Sequence, residues 1–137
     1  MVIFKTVIKV RGFHLDLYRH VNNARYLEFL EEARWDMIDS TDILSDLHCK
    51  HLGFVIVNIN INYRSPAVFG DELEIQSKIK KFSERKGVIE QIIINSKTNC
   101  IVLDAMVTYV ILDLNTQKVG QLDDDLMQRF SKLVEEE

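Results

Sequence analysis

At Gly53 the apolar pattern switches from helical spacing to alternation. Val55, Val57, Ile59, Ile61 and Tyr63 recur every second residue, with Asn58, Asn60 and Asn62 on the opposite side. Three more strand-like runs follow at 72–82, 86–96 and 101–114, each long for a strand. The breaks between them, at 66–70, 83–85 and 97–99, are short and suit antiparallel hairpins. Four long strands in succession commit the middle of the chain to one antiparallel sheet.

The segment before Gly53 supplies what such a sheet needs on its apolar face. A first strand at 2–11 leads into a polar, irregular stretch. From Asn22 or Asn23 to Ile38, the residues Tyr26, Leu27, Leu30, Ala33 and Met37 recur at three- and four-residue spacing. The two asparagines are natural N-caps, able to accept from orphan backbone N–H groups. A short helix is expected at 42–51. A last amphipathic helix at 123–134 carries Leu126, Met127, Phe130, Leu133 and Val134 on one side. Asp123, Asp124 and Asp125 sit at its start, where the helix dipole favours negative charge. Helices gathered on one face of an antiparallel sheet make an α+β fold, with the long helix able to lie across a concave sheet. A long strand at the sheet edge invites pairing with a second subunit.

Nothing divides the chain: with one proline, five glycines and no linker, residues 1–137 read as a single domain. The closing Glu135, Glu136 and Glu137 read as a solvated acidic tail. Seventeen basic against 21 acidic residues leave a net charge of −4, which argues against a general nucleic-acid binder. No apolar run is long enough to span a membrane, and the N-terminus lacks the form of a signal peptide. Cys49 and Cys100 read as free thiols, small buried hydrophobes in a reducing, cytoplasmic protein.

The sequence lacks G-x-S-x-G, a P-loop and G-x-G-x-x-G. His48, Cys49 and His51 have ligand chemistry but no further partner motif, so they read as a helix end and not as a metal site. The stretch from Phe13 to Asn23 is more informative. It sets Asp16, Tyr18, His20, Asn22 and Asn23 just before the start of the long helix. Unpaired N–H groups there can polarise a carbonyl, and a nearby carboxylate can attack it or activate water. The same residues also suit a polar turn that only caps the helix. The three strand asparagines fit a wet or subunit-contacting face. Lys78, Lys80, Lys81, Arg85 and Lys86 concentrate positive charge around one hairpin, as a solvated face or a phosphate patch, with Arg64 an equal candidate for the latter.

The run Asp16-Leu17-Tyr18-Arg19-His20-Val21-Asn22-Asn23-Ala24-Arg25-Tyr26-Leu27-Glu28-Phe29-Leu30-Glu31-Glu32-Ala33-Arg34 resembles the signature of the 4-hydroxybenzoyl-CoA thioesterase family of hotdog-fold proteins. With Val57-Asn58-Ile59-Asn60-Ile61-Asn62-Tyr63-Arg64, it is most similar to the bacterial long-chain acyl-CoA thioesterases of that family. The resemblance implies a curled five-stranded antiparallel sheet around one long helix. It also implies dimers joined edge to edge, often paired into tetramers, with active sites between subunits. Asp16 matches the family's catalytic carboxylate, and the N–H of Asn23 matches its carbonyl-oxygen donor. Some relatives have His where Asn23 stands, and many have Gly where Arg19 stands. Glu31 matches a recurrent glutamate on the helix.

The implied activity is hydrolysis of long-chain fatty acyl-CoA to fatty acid and coenzyme A, without a metal or redox cofactor. Asp16 would be nucleophile or general base. Tyr18, His20 and Asn22 would border the site, Leu27 and Leu30 would line the acyl pocket, and Arg64, Lys80, Lys81 and Arg85 would meet the coenzyme. Two alternatives share the fold: hydrolysis of acyl groups on an acyl carrier protein, and acyl binding without catalysis.

Overall fold

The computed structural model describes residues 2–134, so the acidic tail at 135–137 lies outside the described residues. Strand β1 (Phe4–Lys9) leads through a 3-10 turn at Gly12–His14 into helix α1 (Asn23–Asp39). A short helix α2 (Ile43–Cys49) precedes the four long strands β2 (Leu52–Tyr63), β3 (Glu72–Phe82), β4 (Lys86–Asn95) and β5 (Ile101–Asp113). A two-residue strand β6 (Lys118–Val119), not expected from the sequence, and helix α3 (Asp124–Val134) close the chain. The sheet order is β1-β3-β4-β5-β2, antiparallel throughout, with β6 added alongside the end of β5.

Register shifts at Val57, Lys80 and Val102 insert an extra residue into β2, β3 and β5. Bulges bend and twist strands, and here they accompany a sheet curled around α1. The bulge at Val57 also corrects the expected alternation. Phe54 and Ile56 pair with Ile111 and Tyr109 on the inner face, and Val55 pairs with Val110 on the outer face. Beyond the extra residue the phase resets, and Ile59, Ile61 and Tyr63 turn inward opposite Val107, Ala105 and Leu103. Asn58, Asn60 and Asn62 share the outer face and are exposed, as a wet face requires.

Helix α1 buries Tyr26, Phe29, Leu30, Ala33 and Met37 against the sheet. Phe29, at 4% exposure, takes the place expected for Leu27, which is 42% exposed. Phe29 follows Tyr26 and precedes Ala33 at three- and four-residue spacing, while Leu27 leads to Leu30 and Ala33 at three-residue spacing, and the packing decides between them. The core has two parts. One gathers around Tyr26–Ala33 with Leu73, Ile75, Ile93 and Leu103; the other joins Met37 to Leu47, Val107, Tyr109, Leu126 and Phe130. Between them stands a polar crossbar. Arg34 Nη1 donates to Gln91 Oε1 (3.1 Å), while Gln91 Nε2 donates to the Leu30 carbonyl (3.0 Å) and to Ser77 Oγ (2.9 Å).

Helix α3 is tied to α2 by Arg129–Asp46 and by Lys50 Nζ to Asp123 (2.6 Å), and Asp123 Oδ1 caps α3 by accepting from the Leu126 N–H (2.9 Å). Both cysteines are exposed and free, not buried as expected: Cys49 ends α2 and Cys100 sits in the β4–β5 turn.

Gly87 matters for its missing side chain. A Cβ there would lie 2.3 Å from the Tyr109 hydroxyl and 2.5 Å from its ring, closer than a Cβ can stand without displacing that side chain. Gly87→Ala should lower the unfolding free energy by about 1–3 kcal/mol, read from the denaturation midpoint at unchanged slope.

Candidate active site

The stretch before α1 folds back on itself. The Asp16 N–H donates to the His20 carbonyl (2.8 Å), and Leu15 and Val21 form an isolated bridge. This small loop is anchored on both sides. Val21 N–H donates to the Ala67 carbonyl (2.9 Å), and Asn22 N–H to the His14 carbonyl (2.9 Å). His14 is buried, with its ring edge-on to Phe29 (4.9 Å) and its Nδ1 accepting from the Arg11 N–H (2.8 Å). Burial holds its pKa below the ordinary 6.5, with the Arg25 charge adding to the effect.

Asp16 is half-buried in this loop. Its Oδ1 accepts from the backbone N–H groups of Tyr18 (2.8 Å) and His20 (3.2 Å). Among the described residues no protein donor occupies Oδ2, so one oxygen is fixed and the other is left for chemistry. Asn22 caps α1 by accepting from the Ala24 N–H (2.9 Å). The Arg25 N–H goes to the Asn22 carbonyl (2.8 Å), while the N–H of Asn23 has no protein acceptor among the described residues. Asp16 and Asn23 line one hollow of about 270 Å³, with His20, Tyr26, Tyr63, Arg64, Ser65 and Pro66. The far wall is held by the Val102 carbonyl at the β5 bulge, which accepts from the Arg64 (2.8 Å) and Ser65 (3.1 Å) N–H groups. Arg64 Nε donates to Asp104 Oδ2 (2.8 Å), and this pair lowers the Asp104 pKa and raises that of Arg64.

The expected site residues are only partly brought together. Asp16, His20, Asn23 and Arg64 meet at the hollow. Tyr18 contributes its N–H while its ring points to solvent, and the Asn22 side-chain oxygen is spent on the cap. Leu30 is fully buried in the core and Leu27 lies on the exposed side of α1, so neither lines the hollow as an acyl pocket would require. Lys80, Lys81 and Arg85 sit on the β3–β4 hairpin, at the opposite end of the sheet from Asp16 in the same chain. Val21, Tyr26, Tyr63, Ser65 and Pro66 also wall the hollow and were not among the expected site residues; Pro66, the only proline, was the available sign of a fixed turn after β2.

It also missed a second space, an apolar cavity of about 530 Å³. The cavity lies between the later half of α1, α2, α3 and the Leu52 end of β2, and Trp35, Ile38, Leu44, Phe54, Ile56 and Phe130 are among its walls.

A carboxylate with one free oxygen beside an open helix N-terminus is suited to acyl transfer. Residues 11–130 match the family model described as the thioesterase-like superfamily. The chain belongs to that superfamily. It is 47% identical over 130 residues to the long-chain acyl-CoA thioesterase FadM of Escherichia coli K12, covering 95% of this chain and 98% of that one. It is 27% identical over 131 residues to the acyl-CoA thioester hydrolase YbgC of Escherichia coli O6:H1, covering 95% and 97%. The crystal structure of YbaW, a probable thioesterase from Escherichia coli, superposes with a TM-score of 0.88 at 46% identity, over 96% of this chain and 99% of that one. The fold of this superfamily member is therefore the hotdog fold: a curled antiparallel sheet, a central long helix and a C-terminal helix.

Arg19 stands in the left-handed region, at φ 65°, at the tip of the Asp16 loop. A non-glycine residue there costs about 1–2 kcal/mol, which glycine avoids. The loop thus keeps the turn without a glycine at its tip. Arg19→Gly should raise stability by about 1 kcal/mol, measured as a shift in denaturation midpoint.

Proposed function

We propose that this chain hydrolyses long-chain fatty acyl-CoA to fatty acid and coenzyme A, with Asp16 as the catalytic carboxylate. Its class, acyl-CoA thioester hydrolase, follows from superfamily membership and from full-length likeness to two enzymes of that description. The preference for long chains rests on the 47% identity to FadM. One observation supports the roles of individual residues: the free Oδ2 of Asp16 and the unpaired N–H of Asn23 open onto one hollow.

A thioester carbonyl seated at the start of α1 gains negative charge as it is attacked. The Asn23 N–H and the helix dipole bind that charge better than the neutral ground state. Attack comes from Oδ2, giving a mixed anhydride that water then hydrolyses, or from a water whose proton passes to Oδ2. Either way the C–S bond breaks and coenzyme A leaves as its thiolate, to be protonated from solvent. Arg64 is the cation at the hollow and takes the coenzyme's phosphates in this reading. The chemistry uses no metal or redox group. Two exposed, unpaired thiols suit a reducing compartment, and we place the enzyme in the cytoplasm.

The reading includes a homodimer joined through β2. The two sheet edges differ in kind. β1 is six residues long and carries Lys5 and Lys9, a common protection of an edge. β2 is twelve residues long and has no charged residue, with Val55, Ile56 and Val57 exposed. On α1 the stripe of Leu27, Glu31, Arg34, Trp35 and Ile38 leaves Leu27 and Trp35, at 42% and 46% exposure, uncovered beside that edge. A second copy covers both, and two such dimers make the tetramer implied by the resemblance. Light scattering at micromolar concentration should return the mass of a dimer or a larger even assembly; a monomer mass would refute the pairing.

Asp16→Asn keeps size and the Oδ1 contacts but removes the charge and basicity. The variant should keep its assembly and KM while kcat for a long-chain acyl-CoA falls by at least about 100-fold. Near wild-type turnover by the folded variant would show that the carboxylate is assigned wrongly.

A further inference from the structure

The Asp16 loop is a miniature antiparallel ladder. The Asn22 N–H donates to the His14 carbonyl (2.9 Å), Leu15 bridges Val21, and the Asp16 N–H donates to the His20 carbonyl (2.8 Å). The rungs therefore pair 14 with 22, 15 with 21 and 16 with 20, and the tip at 17–19 is exposed. His14 stands at the base of this ladder. Asp16 is two residues beyond it on one side, and Asn23 is one residue beyond its partner Asn22 on the other. The seating of His14 thus sets where the carboxylate stands relative to the start of α1.

Of the ring-bearing side chains between Gly12 and Asn23, only His14 is buried. Its ring lies edge-on to Phe29 (4.9 Å), a core residue of α1, and 4.3 Å from the ring of Phe13. The Arg25 guanidinium lies over that Phe13 ring (5.9 Å), so α1 holds the base of the ladder from two successive turns. The third hold is polar: the Arg11 N–H donates to His14 Nδ1 (2.8 Å). A ring nitrogen that accepts carries no proton, so the neutral ring keeps its hydrogen on Nε2.

A proton taken from solvent by Nδ1 would set donor against donor at Arg11 and place a charge among aromatic rings. The surroundings oppose that charge. Burial acts first, Arg25 of α1 and Arg11 of the turn act in the same sense, and only Glu28, itself paired with Arg25, favours it.

We propose that neutral His14 is a positioning residue for the hydrolysis: its ring clamps the base of the ladder to α1, and a proton on Nδ1 releases the clamp and moves Asp16 away from the Asn23 N–H. The proposal rests on the thioesterase reading and on Asp16 as its carboxylate. Its sign follows from linkage. The pKa of the clamped ring lies below 6.5 and that of the released ring is ordinary, so the clamp is at full strength above 6.5 and weakens as pH falls through and below that value.

Two substitutions and one titration test it. His14→Leu fills the space but has no acceptor. Its kcat for a long-chain acyl-CoA at about pH 8 should fall by about 10–100-fold with KM little changed, the effect of a displaced carboxylate. His14→Asn puts an amide oxygen where Nδ1 stands and cannot titrate. It should recover kcat to within about 5-fold of wild type and keep its activity to lower pH than wild type does. In the wild type, 15N spectra of the imidazole should show the Nε2–H tautomer, and its protonation should track the acid-side loss of kcat. Wild-type kcat in His14→Leu, one shared acid limb in wild type and His14→Asn, or an Nδ1–H tautomer would each overturn the proposal. If His14→Leu does not fold, the asparagine variant and the imidazole spectra decide. A wild-type protein that hydrolyses no acyl-CoA at any pH would overturn the thioesterase reading instead. The clamp is then read from the Asn22 amide, whose hydrogen exchange should quicken as His14 protonates, and an unchanged rate would overturn it.

Discussion

The position of α1 along the sheet depends on Gln91. This side chain is fully buried in the middle of β4, and its amide meets the helix at two levels, the Leu30 carbonyl and the Arg34 guanidinium. Apolar packing alone tolerates sliding, because it lacks direction. Hydrogen bonds do not, and leaving such groups unpaired in the core costs about 1–3 kcal/mol each. The helix is therefore held lengthwise. Its start is fixed at the hollow with Asp16, and its later half over the cavity. Burial lowers the pKa of Arg34, with Glu31 one turn earlier opposing the shift, which places this charged anchor partly out of water.

The Asp16 loop is stabilised differently. Its contacts are mostly backbone hydrogen bonds, to Ala67, to His14 and within the loop. Its side chains Phe13, Leu17 and Tyr18 remain exposed. A loop held by its backbone can present a carboxylate at a set position while its outer residues vary. The left-handed Arg19 belongs to the same arrangement: the turn is imposed by the surrounding bonds and not by the residue at its tip.

Much of this was legible in the sequence, for physical reasons that also explain the gaps. The strands were visible because a half-buried strand must alternate, and α1 because a helix over a sheet must repeat near 3.6. The Asp16–Asn23 stretch was visible because polar residues before a helix have few roles. Alternation carries no mark for a bulged residue, so Val55, which precedes the bulge at Val57, was assigned to the wrong face of β2. Leu27 and Phe29 are equally compatible with the helical period, and only the sheet chooses between them. Burial of Cys49 and Cys100 was inferred from residue type, yet Cys49 ends α2 and Cys100 lies in the β4–β5 turn. The cavity was invisible because it is bounded by three helices and four strands that no local pattern relates. The basic hairpin was visible as charge, but its distance from Asp16 is a property of the topology.

The sheet order carries a consequence for how the chain acquires its shape. Strands β3, β4 and β5 form a meander of neighbours joined by short turns, whereas β1 and β2 each pair with a strand remote in sequence. Pairing distant segments needs loop closure before any contact rewards it, which slows such steps relative to hairpins. The meander is thus the part of the sheet closed by the shortest loops, and both borders, β1 and β2, depend on longer-range closure. The uncharged border at β2 needs the longer-range closure and is adhesive once formed. While the chain is young and crowded, it is the place where self-association and misassembly compete.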